Sequence, residues 1–434
     1  ADMFFAFVGA LITLVLPLII RYITNDVIFR APNEAIRAIL VLAACMLGLI
    51  ALGLPMVYSA SVHAHGAKLF WQQVSWLMIG LLAALVMAFV PMKYIQRYSF
   101  WGLVLVGGLL LYLALASVAV KINPEALAYF PFTVQIKGAI RWLRFSLGGQ
   151  KIQIQPSEFA KVLLLIYLSS YYGSLPREQI KKFKQGFLIP SVVTGVILML
   201  ILLGKDLSTT VITGLGCFAV MFFAGVRVKY LLLIVLCGLA LGTTAVLISP
   251  ERVSRVTSYQ NPEADQLGDA FQLWRSQLGM GGGGLSGRGF SRGVIKTFLP
   301  EAHTDFIVAV IGEELGFLGV ALVVLLYLAM FTSIIFIARQ CRDRPGMLLC
   351  LGIGVMITLQ ALINIGVVSG WCPTTGITAP FLSYGGSSLM ILLVCCGLII
   401  NISLHNLLVF WHEMVNTPYH LTYKGAEAVK RNKG

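Results

Sequence analysis

Charged residues are scarce in this chain. Only 12% of its 434 residues are charged, about half the share of a typical soluble domain, and 58% are apolar. The mean hydropathy is +0.87. These values exclude a soluble globular, disordered or fibrous protein, because a water-facing fold could not hide so much apolar surface. The length accommodates about ten membrane helices joined by short connections.

Acidic residues are scarcer than basic ones. Lys and Arg number 32 against 18 Asp and Glu, which gives a formal net charge of +14. On a soluble protein this excess would suggest a nucleic-acid partner. On a membrane protein it reflects cytoplasmic loops and anionic lipid headgroups. We therefore expect no nucleic-acid partner.

The sequence also lacks a disulfide framework and a metal-binding motif. None of its eight cysteines forms a C-x-x-C pair, and most lie inside apolar runs, which is typical of small packing residues. The nearest approach to a zinc motif is His412-Glu413 with His420, and its spacing is wrong. We expect no protein metal site.

Continuously apolar runs, without the alternation of barrel strands, predict membrane helices. Ten runs form a core: 36–60, 69–90, 99–120, 157–173, 187–203, 207–225, 229–248, 306–338, 347–369 and 383–410. The run 306–338 would reach roughly 50 Å as a straight helix, so it should tilt, bend or project beyond the bilayer. A further run at 3–20 predicts an additional N-terminal helix within residues 1–35. A signal-like segment is the alternative, but no basic stretch precedes it.

Basic residues alternate between the two sides of the predicted helices. The short loops on one side hold only Lys68 and Lys205. The loops on the other side hold Lys93, Arg97, Arg177, Lys181, Lys182, Lys184, Arg227, Lys229, Arg339, Arg342 and Arg344. The positive-inside rule then places both ends of the core 36–410 and the tail 411–434 in the cytoplasm. The long connections 121–156 and 249–305 become extracytoplasmic, and long loops tend to carry function.

The connection 249–305 combines glycine with basic residues. Glycines recur through its second half, which predicts a pliable segment that presents backbone N–H groups to a ligand. Arg288, Arg292 and Lys296 would suit a phosphorylated or pyrophosphorylated substrate, and a solvated loop face is the alternative. The G-x-G-x-x-G match at 279–284 has no βαβ unit around it, so we expect no dinucleotide site.

Asp305 closes this connection, directly before the apolar run that opens with Phe306. One interpretation is a helix N-cap, because an aspartate there satisfies free backbone amides. The other is a carboxylate at the outer membrane surface that takes a proton from a bound hydroxyl. His303 is a second candidate base, although a lone loop histidine is more often a polar surface residue.

Four acidic or basic residues interrupt the apolar runs. Glu158 and Lys161 share one helix face at i, i+3 spacing, and each alone in lipid would cost about 2.5–3.5 kcal/mol. They therefore form either a paired structural bridge or part of a polar cavity that admits substrate. Glu313 and Glu314 support the same argument, since one of them should face the bundle interior.

Several ordered motifs resemble the SEDS family of shape, elongation, division and sporulation proteins, of the RodA/FtsW type. They are M-V-Y-S-A-S at 56–61, G-A-I-R-W-L at 138–143, I-Q-P-S-E-F-A-K at 154–161, L-P-E-A-H-T-D-F-I at 299–307, I-G-E-E-L-G at 311–316, P-T-T-G-I at 373–377 and P-F-L-S-Y-G-G-S-S at 380–388. The resemblance covers about 36–410 and is closer to the division (FtsW) branch. The chain has K-D-L-S at 205–208 where the family usually has P-D-L-G, so no role is carried over to Asp206.

The resemblance implies an all-α polytopic membrane protein. Its fold would be a SEDS-type ten-helix bundle, here with one additional N-terminal apolar helix and two large extracytoplasmic loops. Its activity would be that of a peptidoglycan glycosyltransferase that polymerises lipid II during cell division or elongation in the bacterial plasma (inner) membrane. Its implied partners are a class B penicillin-binding protein transpeptidase and other divisome or elongasome membrane proteins.

The resemblance also implies roles for individual residues. Asp305 is the implied catalytic residue. The residues implied to bind substrate or line its cavity are Arg141, Trp142, Gln155, Ser157, Glu158, Lys161, Arg288, Arg292, Lys296, His303, Thr304, Glu314, Ser383 and Ser387.

The implied reaction converts an α-linked donor into a β-linked product. One displacement with inversion needs one base and no protein nucleophile. The pyrophosphate leaving group needs cationic support from Arg, Lys or a divalent cation such as Mg or Mn, and no covalently bound cofactor is expected. A lipid II flippase or transporter is one alternative, because transport paths collect intramembrane charge. A non-catalytic divisome scaffold that recruits partners through its cytoplasmic tail is another.

Overall fold

The computed structural model describes residues 32–416 except 137, 148–149, 250–252, 255–256, 258, 260–267 and 269. The predicted helix at 3–20 and the tail beyond Asn416 lie outside the described residues. The helices with described bounds are α1 (Pro32–His65), α2 (Lys68–Phe89), α3 (Met92–Ile122), α4 (Pro156–Ser174), α5 (Arg177–Ile180), α6 (Ile189–Leu203), α7 (Leu207–Ala224), α8 (Val228–Leu247), α9 (Phe271–Gly282), α10 (Ile295–Phe298), α11 (Ile307–Glu314), α12 (Gly316–Gln340), α13 (Arg344–Val368) and α14 (Gly386–Asn416).

The ten predicted core runs are helical. Among the described residues, 9 helices are long and apolar enough to cross a membrane, and one of them joins α6 to the π-helical turn Phe183–Leu188. Helix α4 corresponds to the remaining core run, 157–173. It is less apolar than the others because it carries Glu158 and Lys161.

Helix α4 lies at the centre of the bundle. It packs against α3, α7, α13 and α14, and most of its residues are buried. Helix α14 packs along α2, and α12 packs along α1. The charged pair of α4 is therefore enclosed by protein rather than by lipid, as the cost of a charge in hydrocarbon requires.

The long apolar run 306–338 is broken rather than merely tilted. Helix α11 ends at Glu314, and α12 begins at Gly316, whose φ of +69° is a left-handed conformation that favours glycine. A side chain at Gly316 would also meet the backbone nitrogen of Gly287 at 2.3 Å. The break therefore arises where the glycine-rich connection packs against the helix.

The connection 121–156 contains an antiparallel sheet, which the all-α expectation did not include. Its strands β1 (Thr133–Ile136), β2 (Ala139–Leu147) and β3 (Gln150–Ile154) pair in the order β1-β2-β3. Strand β2 buries Ile140 and Leu143 against Leu113 and Ala116 of α3. The sheet is stabilised there because these apolar β2 residues cover the end of a membrane helix.

Candidate functional site

Asp305 lies at a junction of three segments. Its backbone carbonyl accepts a hydrogen bond of 2.8 Å from Nδ2 of Asn364 on α13. Its Oδ2 lies 3.5 Å from the position that a Cβ on Gly376 would occupy. Asp305 is half-buried and Gly376 is exposed. The backbone of Asp305 is thus held by Asn364, and its carboxylate lies beside an exposed glycine.

The N-cap interpretation of Asp305 is wrong. The residue at the N-cap position of α11 is Phe306, and no side chain caps that helix. Asp305 lies one residue earlier, in the turn that precedes the helix. Asp305 therefore precedes the N-cap residue of α11.

The segment after α13 forms the other wall of this site. The backbone N–H of Tyr384 donates to the His303 carbonyl at 2.8 Å, and the two rings lie 5.6 Å apart. Burial raises the pKa of the Tyr384 phenol, which remains a hydrogen-bond donor to Gln72 Oε1 at 2.8 Å. Thr304 Oγ1 donates to the carbonyl of Glu301 at 3.0 Å. The motifs at 299–307 and 380–388 therefore meet in space.

Ser383 and Ser387 are both buried in this wall. Ser383 Oγ accepts the Ala379 N–H at 2.8 Å, and its carbonyl accepts Gln73 Nε2 of α2 at 3.1 Å. Ser383 therefore shapes the turn in front of α14. Ser387 lies in the first turn of α14.

The three basic residues of the glycine-rich connection differ in accessibility. The Lys296 side chain is 1% exposed, and its Nζ lies 2.8 Å from both Glu314 Oε1 and Ser59 Oγ. The expectation that Lys296 faces a substrate pyrophosphate is therefore wrong, because its ammonium is enclosed by protein acceptors. Arg288 pairs with Glu313 at 3.1 Å while its side chain stays 45% exposed. Arg292 is exposed.

Glu313 and Glu314 fasten this connection to the helix break. Glu313 accepts the backbone N–H groups of Val294 and Ile295 at 2.9 and 3.0 Å. Glu314 accepts that of Ser291 at 2.8 Å. Both carboxylates are buried, and charge-assisted bonds of this kind are among the stronger ones. Glu314 is thus placed to anchor a loop rather than to contact a substrate directly.

The glycines of this connection allow close packing of backbones. A Cβ on Gly283 would lie 2.0 Å from the Gly312 carbonyl oxygen, and one on Gly287 would lie 2.1 Å from that of Glu314. The expectation of a pliable, ligand-facing segment is wrong for this part, because these backbones contact α11 instead.

Gly283→Ala should destabilise the protein by at least about 1–3 kcal/mol, the usual range for overpacking, because the added methyl group would clash with the backbone of Gly312. Gly281→Ala is the matched control, because nothing lies within 4 Å of a Cβ there and alanine favours the helix. Thermal unfolding of both variants in detergent measures the difference. Equal unfolding midpoints would contradict the packing that we describe.

Glu158 and Lys161 form a direct ion pair in the centre of the bundle. The Lys161 Nζ lies 2.9 Å from Glu158 Oε2, with side chains 4% and 8% exposed. The same Oε2 has no aligned hydrogen bond among the described residues. The pair is close but incompletely satisfied, so both the bridge and the cavity interpretations stay open on geometry alone.

A second polar cluster joins the sheet to α4 and α7. Asp206 Oδ2 accepts Gln155 Nε2 at 2.8 Å, and the same Nε2 donates to Ser157 Oγ at 3.0 Å. Arg141 donates to the carbonyls of Gly204 and Lys205, and its Nη1 lies 3.9 Å from Asp206 Oδ1. A small cavity opens here between α3, α4 and α6.

Asp206 is the residue that sequence reasoning missed. It is buried, and its Oδ1 accepts the Thr209 N–H at 3.2 Å as the N-cap of α7. An aspartate immediately before an apolar run was the available signal. Trp142, one residue after Arg141, is half-buried and pairs with Val134 across the sheet.

Comparisons with known proteins agree with this architecture. A chain of a solved peptidoglycan synthase complex aligns with a TM-score of 0.68 at 26% identity, covering 84% of this chain and 97% of that one. The crystal structure of Thermus thermophilus rod shape determining protein RodA aligns with a TM-score of 0.61 at 26% identity, covering 84% of this chain and 96% of that one.

Curated relatives give the same result. A probable peptidoglycan glycosyltransferase FtsW from Coxiella burnetii is 39% identical over 370 residues, which cover 83% of this chain and 94% of that protein. Stage V sporulation protein E of Bacillus subtilis is 35% identical over 370 residues, which cover 84% and 96%. The family profile described as "Cell cycle protein" matches residues 35–407, so this chain belongs to the family of FtsW, RodA and SpoVE.

Proposed function

We propose that this chain is a peptidoglycan glycosyltransferase that polymerises lipid II at the outer face of the bacterial plasma membrane, with Asp305 as general base. Its relatives carry the name of that activity. The observation that carries the catalytic assignment is the junction at Asp305. There Asn364 anchors the backbone of Asp305, and the Asp305 carboxylate lies beside the exposed Gly376. A base held on fixed backbone next to an open surface is what proton abstraction from a bound hydroxyl requires.

The proposed reaction is one inverting displacement. The acceptor's 4-hydroxyl gives its proton to Asp305 and attacks the anomeric carbon of the donor, and the bond to pyrophosphate breaks. Arg288 and Arg292 remain exposed, and their guanidinium groups would offset charge on the leaving group. The described residues bring no group of three or more His, Cys, Asp or Glu side chains together, so we derive no step through a divalent cation.

The orientation in this proposal is supported by contacts at one end of the bundle. Arg344 donates to the carbonyls of Leu175 and Ala224 at 3.4 and 2.7 Å, which joins the three basic connections after α4, α7 and α12. These are connections that the positive-inside rule assigns to the cytoplasm. Asp305 and the turn before α14 belong to connections on the opposite side by the same rule. The tail 411–434 would then be cytoplasmic.

Reconstitution in liposomes tests the proposed function against its alternatives. The purified chain receives lipid II on its outer face, and glycan strands and translocated lipid are both measured. We expect glycan strands. Translocated lipid without polymer would indicate a flippase, for which the buried Glu158–Lys161 pair is the supporting feature. If neither glycan strands nor translocated lipid is detected with a transpeptidase present, the result would indicate a scaffold.

A single-pass class B penicillin-binding protein is the proposed partner, bound laterally through apolar helix faces. Helix α8 buries little of its surface among the described residues, and Leu236 and Leu239 are each 64% exposed. The full-length transpeptidase should co-purify with the chain in detergent, whereas its soluble domain without the membrane helix should not. Failure of every class B candidate from the same genome to co-purify would contradict this proposal.

A further inference from the structure

We infer that Asn364 is a positioning residue for Asp305, acting on the base without contacting the substrate. This inference rests on the proposed function, because it assumes that Asp305 is the general base. Asn364 lies on α13, far along the chain from Asp305, and none of the motifs that carry the family resemblance includes it.

The amide of Asn364 joins the two walls of the site. Its Nδ2 donates to the carbonyl of Asp305 at 2.8 Å and to that of Ile377 at 2.7 Å. Ile377 directly follows Gly376, the residue beside the Asp305 carboxylate. One side chain therefore sets the spacing between the base and the segment that it faces.

The orientation of this amide is determined by its surroundings. Both neighbours of the nitrogen are carbonyl oxygens, so a flipped amide would place oxygen against oxygen. The Oδ1 atom is buried and has no hydrogen-bond partner among the described residues, and Asn364 is only 1% exposed. An unpaired buried oxygen costs stability. Stability alone therefore does not explain an asparagine here, whereas the need for two donated hydrogen bonds does.

Gln360 provides a matched comparison one turn earlier on α13. Its Nε2 donates to the carbonyl of Thr378 at 3.1 Å, its Oε1 is likewise unpartnered, and it is 3% exposed. Both hydrogen bonds that the Gln360 amide donates go to Thr378, whereas one of those from Asn364 goes to Asp305. Loss of Gln360 removes a similar buried amide and leaves the Asp305 hydrogen bond in place.

The test compares Asn364→Leu with Gln360→Leu in full-length protein reconstituted with lipid II and its transpeptidase. Asn364→Leu should lower kcat about 10- to 100-fold, because a displacement of about 1 Å in a catalytic group has effects of that size. Its KM for lipid II should stay within about two-fold, since the residue binds no substrate. Gln360→Leu should keep kcat within a few-fold of the parent.

A double-mutant cycle separates positioning from a general structural role. In the Asp305→Asn background, Asn364→Leu should have no further effect on residual kcat, because the group that it positions no longer acts as a base. Multiplicative losses in the double variant would overturn the inference, as would a parent-like kcat for Asn364→Leu. If both Asn364→Leu and Asn364→Ser fail to fold, the residue is structural and the inference is also overturned. A fully active Asp305→Asn protein would instead overturn the proposed base itself, which is a distinguishable result.

Discussion

Asp305→Asn should lower polymerisation of lipid II by about 10²–10⁴-fold, the usual cost of losing a general base. Asparagine keeps the size of the side chain but does not accept the proton. The structure argues against the competing explanation, because Phe306 and not Asp305 is the N-cap residue of α11. Asn364 donates its hydrogen bond to the backbone carbonyl of Asp305, which the substitution leaves in place. The thermal unfolding midpoint should therefore change little. Glycan polymer is measured in proteoliposomes with the transpeptidase present.

Asp343→Asn is the matched control for this substitution. Asp343 caps α13, and its Oδ2 accepts the Gly346 N–H at 2.9 Å. Asparagine caps helices about as well as aspartate, so this variant should polymerise lipid II normally. If Asp305→Asn also retained activity within a few-fold of the parent, the base would have to be sought elsewhere. Glu301 and His303, whose side chains lie 4.0 Å apart in the same segment, would be the next candidates.

Lys161→Met should destabilise the protein by about 3–5 kcal/mol, because it leaves the Glu158 carboxylate buried without its cation. Activity should fall with stability. The double variant Glu158→Gln with Lys161→Met removes both charges and should recover most of the unfolding midpoint. If the pair lines a cavity that admits substrate, the double variant should remain inactive.

Ser169→Ala on the same helix controls for disturbance of α4. Ser169 is buried, and its hydroxyl donates a local hydrogen bond of 2.6 Å to the Leu165 carbonyl within the same helix, so its loss should cost little. Thermal unfolding and glycan synthesis are measured for each variant. A double variant that recovered both stability and activity would show that the pair is a structural bridge, and the cavity interpretation would be abandoned.

Local sequence patterns were sufficient to predict the parts of the molecule whose structure is imposed by the lipid bilayer. Each of the ten core runs corresponds to helix, because a bilayer requires about 20 apolar residues with internally satisfied backbone. The i, i+3 spacing of Glu158 and Lys161 on one helix predicted their contact directly. The motif at 299–307 marked Asp305 because a carboxylate at the end of a polar connection is visible without knowing its neighbours.

Local patterns were insufficient where a residue's role depends on a distant segment. Lys296 resembled an exposed phosphate ligand, but its ammonium binds Ser59, which is 237 residues away along the chain. Asp206 lies between two departures from the family motif, Lys205 and Ser208, and was given no role, but it accepts a hydrogen bond from Gln155, 51 residues away along the chain.

By itself, the sequence determined the membrane helices, the placement of basic loops and the candidate base, because hydropathy and short-range spacing are properties of neighbouring residues. Only the tertiary structure decided that Gly316 breaks the long helix, that the glycine-rich connection packs against α11, and that Asn364 joins Asp305 to Ile377. Those features depend on packing and hydrogen bonds between segments that are far apart in sequence. Hydropathy and short-range residue spacing do not predict such contacts.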